Sequence, residues 1–143
     1  MMKDNDKRKK ISLAIGFIVV FFHGLIHSFG FFVYCRIIDN IEDLSYKTTF
    51  LWNSLDIGET ATFIYGILWL ITMLGYFLGI ILIPISSKDV GSKLIIFSSL
   101  ISLFITFLDF SEAFMGFLVS LTIILVYKQN KLKFKANSFL KKI

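Results

Sequence analysis

The two histidines of this sequence, His23 and His27, lie four residues apart near the middle of an apolar run from residue 11 to residue 35. Residues i and i+4 of an α-helix project from the same face, so the two imidazoles are expected side by side. Imidazole exchanges a proton near neutral pH and is a common metal ligand. Because ionisable groups inside a membrane usually face protein or water, the pair predicts a polar site within the protein interior.

Three kinds of chemistry fit this pair, and the sequence leaves all three open. His23 and His27 with the carboxylate of Glu112 would supply three ligands to a divalent metal such as zinc or non-haem iron. The spacing alone does not establish this, since no HExxH motif accompanies it. The imidazoles could instead handle protons or a small polar ligand near Glu112 or Asp109. In the third interpretation they hydrogen-bond to Ser and Thr residues of neighbouring helices and fix the helix register.

Other chemistries are less favoured. Two imidazoles one turn apart on a single helix cannot bind opposite faces of a haem, so a haem within one chain is excluded, whereas a haem between two copies remains open. The sequence has no catalytic serine arrangement, phosphate-binding glycine loop, CxxC pair or nucleotide motif. Enzymatic activity would therefore depend on the His and carboxylate residues, and a non-enzymatic role is favoured. Cys35 has no second cysteine to pair with.

The composition predicts the elements that position these side chains. With 56% hydrophobic residues and 17 phenylalanines in 143 residues, whole segments are apolar on all sides, as expected in lipid. We expect a single all-α domain, an integral membrane four-helix bundle with spans at about 11–35, 61–85, 94–110 and 112–128. A loop at 36–60 and a basic tail at 129–143 complete the chain. Within the loop, apolar residues near helical spacing allow a short surface helix, and an irregular loop is the alternative.

Charge predicts the orientation. Of the 15 Lys and Arg residues, 13 lie in the N-terminal segment, the connection at 86–93 or the C-terminal tail, which are on one side of the membrane. The positive-inside rule then places both termini in the cytoplasm and the chain in the plasma membrane, with the tail on the anionic inner leaflet. The net charge of +5 therefore reflects topology, and no motif supports nucleic-acid binding. The bilayer is the expected partner, together with a second copy or another membrane protein.

Polar residues recur along the predicted spans and lie at a common depth. Ser99, Ser102, Thr106 and Asp109 share one face of the third span, and Glu112, Gly116 and Ser120 share one face of the fourth. With about 1.5 Å of rise per residue, His23 lies about 18 Å and His27 about 24 Å into a core of roughly 30 Å. The carboxylates belong to the same half of the membrane. Trp69 and Tyr76 are interpreted as packing residues of the second span, and Asp109 is expected to contact solvent. The predicted polar pocket contains His23, His27, Glu59, Trp69, Tyr76, Asp109 and Glu112.

Three short segments resemble a known group. HGLIHSFGF at 23–31, GILWL at 66–70 and SEAFMG at 111–116 are similar, in the same order, to the HGLIHxxGF, GLLWL and S-D-A-x-x-G signatures of small four-span prokaryotic membrane proteins. The sequence differs from them in having Glu112 where the group has Asp, and in an acidic loop where the group has a shorter one with proline. The resemblance implies a four-helix membrane fold and draws attention to His23, His27 and Glu112. It implies no reaction.

Overall fold

The computed structural model describes residues 2–38, 40–41, 44–86 and 89–140, with side chains described at 7, 11–38, 46–86 and 89–129. Within these residues the helices are α1 (Met2–Tyr34), α2 (Gly58–Ile85), α3 (Val90–Leu108) and α4 (Phe110–Leu140). All four of these described helices are long and apolar enough to cross a membrane. The predicted all-helical architecture is therefore confirmed, with four helices that each have the length and composition of a membrane span.

Each helix begins before its predicted span, although α1 and α3 end one and two residues earlier than predicted. α2 begins at Gly58, where the backbone N–H bonds to the Asp56 carboxylate at 3.0 Å, and Glu59 in the first turn favours the helix dipole. α4 continues to Leu140 through most of the predicted tail, with a kink at Ala113. Hydropathy marks only the part of a helix that suits lipid, whereas backbone hydrogen bonding continues into polar turns.

The loop between α1 and α2 forms short strands. Within the described residues, β1 (Asn40–Ile41) pairs with β2 (Leu44–Ser45), and β3 (Thr49–Phe50) pairs with β4 (Leu55–Asp56), both antiparallel. The short surface helix, one of the two alternatives for the loop, is absent from its described part. Leu51, Trp52 and Asn53 have φ angles of 50°, 57° and 62°, which a right-handed helix cannot contain. The loop positions 39, 42 and 43 lie outside the described residues.

The loop packs on one end of the bundle, which we call the loop end; the opposite end is the basic end. The Leu51 N–H donates to the Leu108 carbonyl of α3 at 2.9 Å, and the Phe50 side chain is buried against Tyr34 and Tyr65. Trp69 and Ile105 complete this aromatic cluster. The loop therefore caps the ends of α1, α2 and α3.

α2 and α3 are the central pair of helices. α2 packs against both α1 and α3, and α4 packs against α3. A Cβ atom on Gly75 would lie 1.9 Å from the Ser98 hydroxyl oxygen, and one on Gly79 would lie 2.5 Å from Ile95 Cγ1, so these glycines permit close contact. Small residues at such contacts are typical of membrane helices, because lipid supplies no hydrophobic force between them.

Candidate functional site

Both histidines face the interior of the bundle. His23 is 3% exposed and His27 is 1% exposed, and their ring centroids lie 4.8 Å apart on one face of α1. Two aromatic residues of α2 cover them: Tyr76 lies 5.2 Å from His23, and Trp69 lies 4.8 Å from His27, between ring centroids. Trp69 fits because Gly30 has no side chain, since a Cβ atom there would lie 2.2 Å from the indole ring. Trp69 and Tyr76 therefore enclose the two imidazoles.

The hydrogen-bond partners of the imidazoles are serines of α3 and α4. His27 Nε2 lies 2.8 Å from Ser102 Oγ, and Ser102 Oγ lies 2.6 Å from Ser120 Oγ. Ser120 Oγ in turn lies 2.9 Å from His23 Nε2, which is also 3.3 Å from Ser102 Oγ. These four residues, His23, His27, Ser102 and Ser120, are called the His–Ser network below. It joins α1, α3 and α4 through side chains that are all buried.

One nitrogen of this network has no partner, and that determines the direction of the hydrogen bonds. Among the described residues, nothing bonds to the buried Nδ1 of His27. A buried N–H without an acceptor is rare, so we assign the proton of neutral His27 to Nε2, which donates to Ser102. Ser102 then donates to Ser120, and Ser120 donates to Nε2 of His23. His23 consequently carries its own proton on Nδ1.

The other hydroxyls of the polar face of α3 have separate roles. Ser99 accepts a hydrogen bond from the Tyr76 hydroxyl at 3.1 Å and donates to the Ile95 carbonyl at 2.8 Å. Thr106 donates to the Ser102 carbonyl at 2.6 Å. Bonding to carbonyls of the same helix satisfies these hydroxyls locally. Ser102 differs because its hydroxyl bonds to residues of two other helices.

The carboxylates assemble at the loop end in a second cluster. The Asp109 carboxylate is buried, which corrects the expectation that it contacts solvent. Lys47 Nζ lies 2.6 Å from Asp109 Oδ1 and 2.6 Å from Glu112 Oε1, and the Tyr34 hydroxyl donates to Asp109 Oδ2. Tyr34, Lys47, Asp109 and Glu112 are called the loop ion cluster. Asp109 is buried because the loop brings a cation to it and the last residue of α1 supplies a hydroxyl donor.

The environment of Lys47 favours its charged form. Burial lowers the pKa of the Lys47 ammonium, but hydrogen bonds to Asp109 and Glu112, with the attraction of their charges, raise it by more. The net effect is a pKa above the ordinary value. At neutral pH the loop ion cluster therefore contains a protonated lysine.

The residues of the single predicted pocket are divided between the His–Ser network and the loop ion cluster. Ser102 and Asp109 are seven residues apart on α3, which is about 10 Å along the helix axis. Among the described side chains, the partners of the imidazoles are serines and no carboxylate bonds to them. In that same part of the chain no three His, Cys, Asp or Glu residues are grouped to hold a metal ion. The structure therefore does not bring His23, His27 and Glu112 together as metal ligands.

Glu59, another predicted member of the pocket, lies apart from both clusters. Its side chain is 72% exposed and pairs with Arg36 at 2.8 Å. Glu59 lies in the first turn of α2, next to the loop that carries Arg36. Glu59 therefore belongs to the surface of the loop end.

Lys47 and Tyr34 are members of the loop ion cluster that the sequence analysis did not identify. Lys47 did carry a signal, because it is one of only two basic residues in the acidic region at 36–60. A lone cation among carboxylates is a candidate for ion pairing. The pairing of Tyr34 with Asp109 has no comparable signal, since the two residues are 75 positions apart.

No family model, no curated protein and no solved structure matches the chain. The resemblance to small four-span prokaryotic membrane proteins therefore stays a prediction from three short motifs. The site must be interpreted from its own geometry: a hydrogen-bonded His–Ser network within the helices and a loop ion cluster at one end.

Proposed function

We propose that this chain is a four-span protein of the plasma membrane, with both termini in the cytoplasm, and that its His–Ser network relays protons between positions inside the membrane. The charge distribution along the sequence supports the orientation, since 13 of 15 basic residues belong to the N-terminal segment, the connection at 86–93 or the C-terminal tail. The two exceptions are neutralised in ion pairs: Arg36 with Glu59, and Lys47 with Asp109 and Glu112. These two residues therefore reduce the charge difference between the two sides only slightly.

The relay rests on one observation, the unbroken chain of hydrogen bonds from His27 to His23. A proton that binds to Nδ1 of His27 allows the Nε2 proton to pass to Ser102. Ser102 passes its own proton to Ser120, and Ser120 passes its proton to Nε2 of His23. His23 then releases the proton from Nδ1. One proton enters and one leaves, and each intermediate hydroxyl loses one O–H bond and gains another.

Enclosure of the network favours proton transfer over binding of a larger ligand. The imidazoles are 3% and 1% exposed, and the rings of Trp69 and Tyr76 lie against them. A ligand of several atoms would have to displace those packed rings, whereas a proton can pass between the two histidines along the hydrogen bonds already present. Polar residues in chains inside membrane helices commonly serve such relays.

A second candidate function is structural, and the position of Ser102 favours it. Its hydroxyl bonds to His27 of α1 and Ser120 of α4, so one residue fixes the register of three helices. A packing subunit of a larger membrane complex would have use for such a network. Both functions predict that the network stabilises the fold, so only a measurement of proton movement distinguishes them.

The test compares Ser102→Ala with Thr72→Val in liposomes that contain a pH-sensitive dye. Thr72 is also fully buried, but its hydroxyl bonds to the Leu68 carbonyl of its own helix and lies outside the network. A potassium gradient with valinomycin drives proton entry. If breaking one link adds about 1–3 kcal/mol to the barrier, proton flux falls roughly 5- to 150-fold in Ser102→Ala.

The relay predicts flux above that of protein-free liposomes for the wild type and for Thr72→Val. Flux of wild-type liposomes at the protein-free level, or equal flux for Ser102→Ala and Thr72→Val, would contradict it. Loss of thermal stability in Ser102→Ala with no change in proton flux would contradict the relay and support the structural function.

A further inference from the structure

The half of the bundle nearer the basic end contains an apolar groove that the His–Ser network does not use. Its volume is about 450 Å³, and nearly all of its lining is apolar. α1, α3 and α4 form its walls; among the lining residues are Gly16, Val20, Ile95, Val119, Ile123 and Tyr127. The groove exists because α1 packs on α2 while α4 packs on α3, which leaves space between α1 and α4.

The hydrogen bond between His23 and Ser120 lies near the end of the groove that is closer to the loop. It joins α1 to α4 at 2.9 Å, and Val20 and Ile123, which line the groove, each lie three residues from one of these partners. On the basic side of this bond no comparable polar contact between α1 and α4 is seen in the described residues. The groove is therefore an apolar space between α1 and α4 with a polar contact near its loop-side end.

The length of the groove matches one leaflet of a bilayer. Along α4 its lining extends from Leu118 to Tyr127, which is about 13 Å of helix. The hydrocarbon core is roughly 30 Å thick, so each leaflet contributes about half of that. An acyl chain entering from the basic side would end near the His–Ser network. A single lipid tail is thus the ligand whose length and polarity fit the groove.

Cations mark the end at which the lipid headgroup would lie. Ser92 and Tyr127 line the groove, and each is followed by an exposed lysine, Lys93 and Lys128. Asp89, one turn before Lys93, is also exposed at this end. Lysine side chains near a membrane surface attract anionic lipids and extend toward the headgroups.

We propose that this groove is a binding site for an anionic phospholipid, with one acyl chain between α1, α3 and α4 and the phosphate near Lys93 and Lys128. The lipid fills the gap between α1 and α4 and so holds α4 in the bundle. This site does not depend on the proton relay, and it would remain if the His–Ser network only fixed the helix register.

The experiment is native mass spectrometry of the detergent-purified protein with equal amounts of phosphatidylglycerol and phosphatidylcholine. Gly16→Phe fills the groove, and a Cβ atom at Gly16 has no neighbour within 4 Å, so the change adds no strain at its first atom. Ile18→Phe is the matched control, because Ile18 is 55% exposed on the same helix and does not line the groove. Lys93→Gln/Lys128→Gln tests the headgroup contacts without altering the groove.

We expect the wild type and Ile18→Phe to retain phosphatidylglycerol in preference to phosphatidylcholine, by roughly tenfold or more for two lysine contacts. Gly16→Phe should lose bound lipid, and the double lysine variant should bind both lipids equally. Equal retention of the two lipids by the wild type would overturn the proposal. So would lipid binding by Gly16→Phe at the level of Ile18→Phe, or an unchanged preference in the folded lysine variant.

Discussion

Removal of the Lys47 ammonium should destabilise the protein far more than removal of a surface cation. In Lys47→Met the Asp109 carboxylate, which is 0% exposed in the wild type, keeps the Tyr34 hydroxyl as its one donor among the described side chains. Leaving a buried charge without its partner costs about 3–5 kcal/mol. The pair with Glu112 adds little, since an ion pair that reaches solvent contributes about 0–1 kcal/mol. We therefore expect a loss of about 3–5 kcal/mol in the free energy of unfolding.

The reverse change should cost less. In Asp109→Asn, Lys47 retains Glu112 at 2.6 Å and is itself 17% exposed, so its charge keeps a partner and access to water. We expect a loss of about 1–3 kcal/mol, the cost of one impaired buried hydrogen-bond group. The double variant Lys47→Met/Asp109→Asn should then cost less than the sum of the two, with a coupling of about 0.5–3 kcal/mol.

The free energies can be measured by denaturant unfolding in mixed micelles, followed by circular dichroism. Arg36→Met is the matched control: it also replaces a cation with methionine, but its partner Glu59 is 72% exposed, so the expected cost is within about 1 kcal/mol. If Lys47→Met costs no more than Arg36→Met, or if the two changes at 47 and 109 are additive, the ion pair does not hold Asp109 in place.

The pH dependence of stability gives an independent check with a defined sign. The pKa of Lys47 is raised above its ordinary value of 10.5, because contact with Asp109 and Glu112 outweighs the effect of burial. A group with a raised pKa in the folded state contributes stability that is fully present below the ordinary value and is lost as pH rises through the raised one. The stability difference between wild type and Lys47→Met should therefore shrink above pH 10.5 and stay constant from pH 7 to 9. A difference that stays constant above pH 10.5 would contradict the raised pKa of Lys47.

Two further predictions concern packing and topology. Gly30→Ala should destabilise the protein by about 1–3 kcal/mol, because its methyl group would lie 2.2 Å from the Trp69 ring. Gly16→Ala has no neighbour within 4 Å and should be neutral or stabilise the protein by up to about 1 kcal/mol. Thermal unfolding of the two variants in detergent compares them, and equal stabilities would contradict the close contact at Gly30. Cys35 should react with a membrane-impermeant maleimide in intact cells, and slowly near neutral pH because burial raises the pKa of its thiol. Lys7→Cys in a Cys35→Ser background should react only after permeabilisation of the cells. The opposite labelling pattern would mean that the orientation is reversed.

The fold was largely predictable because lipid imposes a simple rule on sequence. Backbone groups in a membrane must bond within a helix, so long apolar runs become helices, and all four were located to within a few residues at their apolar ends. The inward direction of the imidazoles followed from the cost of exposing them to lipid. Their partner Ser102 lay on a recognised polar face of α3, although periodicity alone could not select it from its neighbours.

The loop and its ion cluster were not predictable for a different reason. Contact between Lys47 and Asp109 depends on how the loop folds, and that fold depends on the left-handed backbone at Leu51 and its bond to Leu108. Of the three residues with left-handed backbone, Leu51, Trp52 and Asn53, only the asparagine is of a type that commonly adopts it, so the sequence carries little sign of a left-handed turn. Without the loop in place, solvent contact was the reasonable expectation for a carboxylate at the end of α3.

The polar face of α4 explains how this helix joins the bundle. α4 contributes little apolar burial inside the chain, and lipid provides no hydrophobic force to hold it against α3. Three positions at i, i+4 and i+8 replace that force: Glu112 pairs with Lys47, Gly116 packs against Thr106, and Ser120 bonds to the network. Because each contact lies on a different level of the helix, the three together fix its rotation and its height. The same residues that made α4 a candidate for chemistry are therefore the ones that attach it, and a change at Ser120 should be judged by its effect on assembly as well as on proton movement.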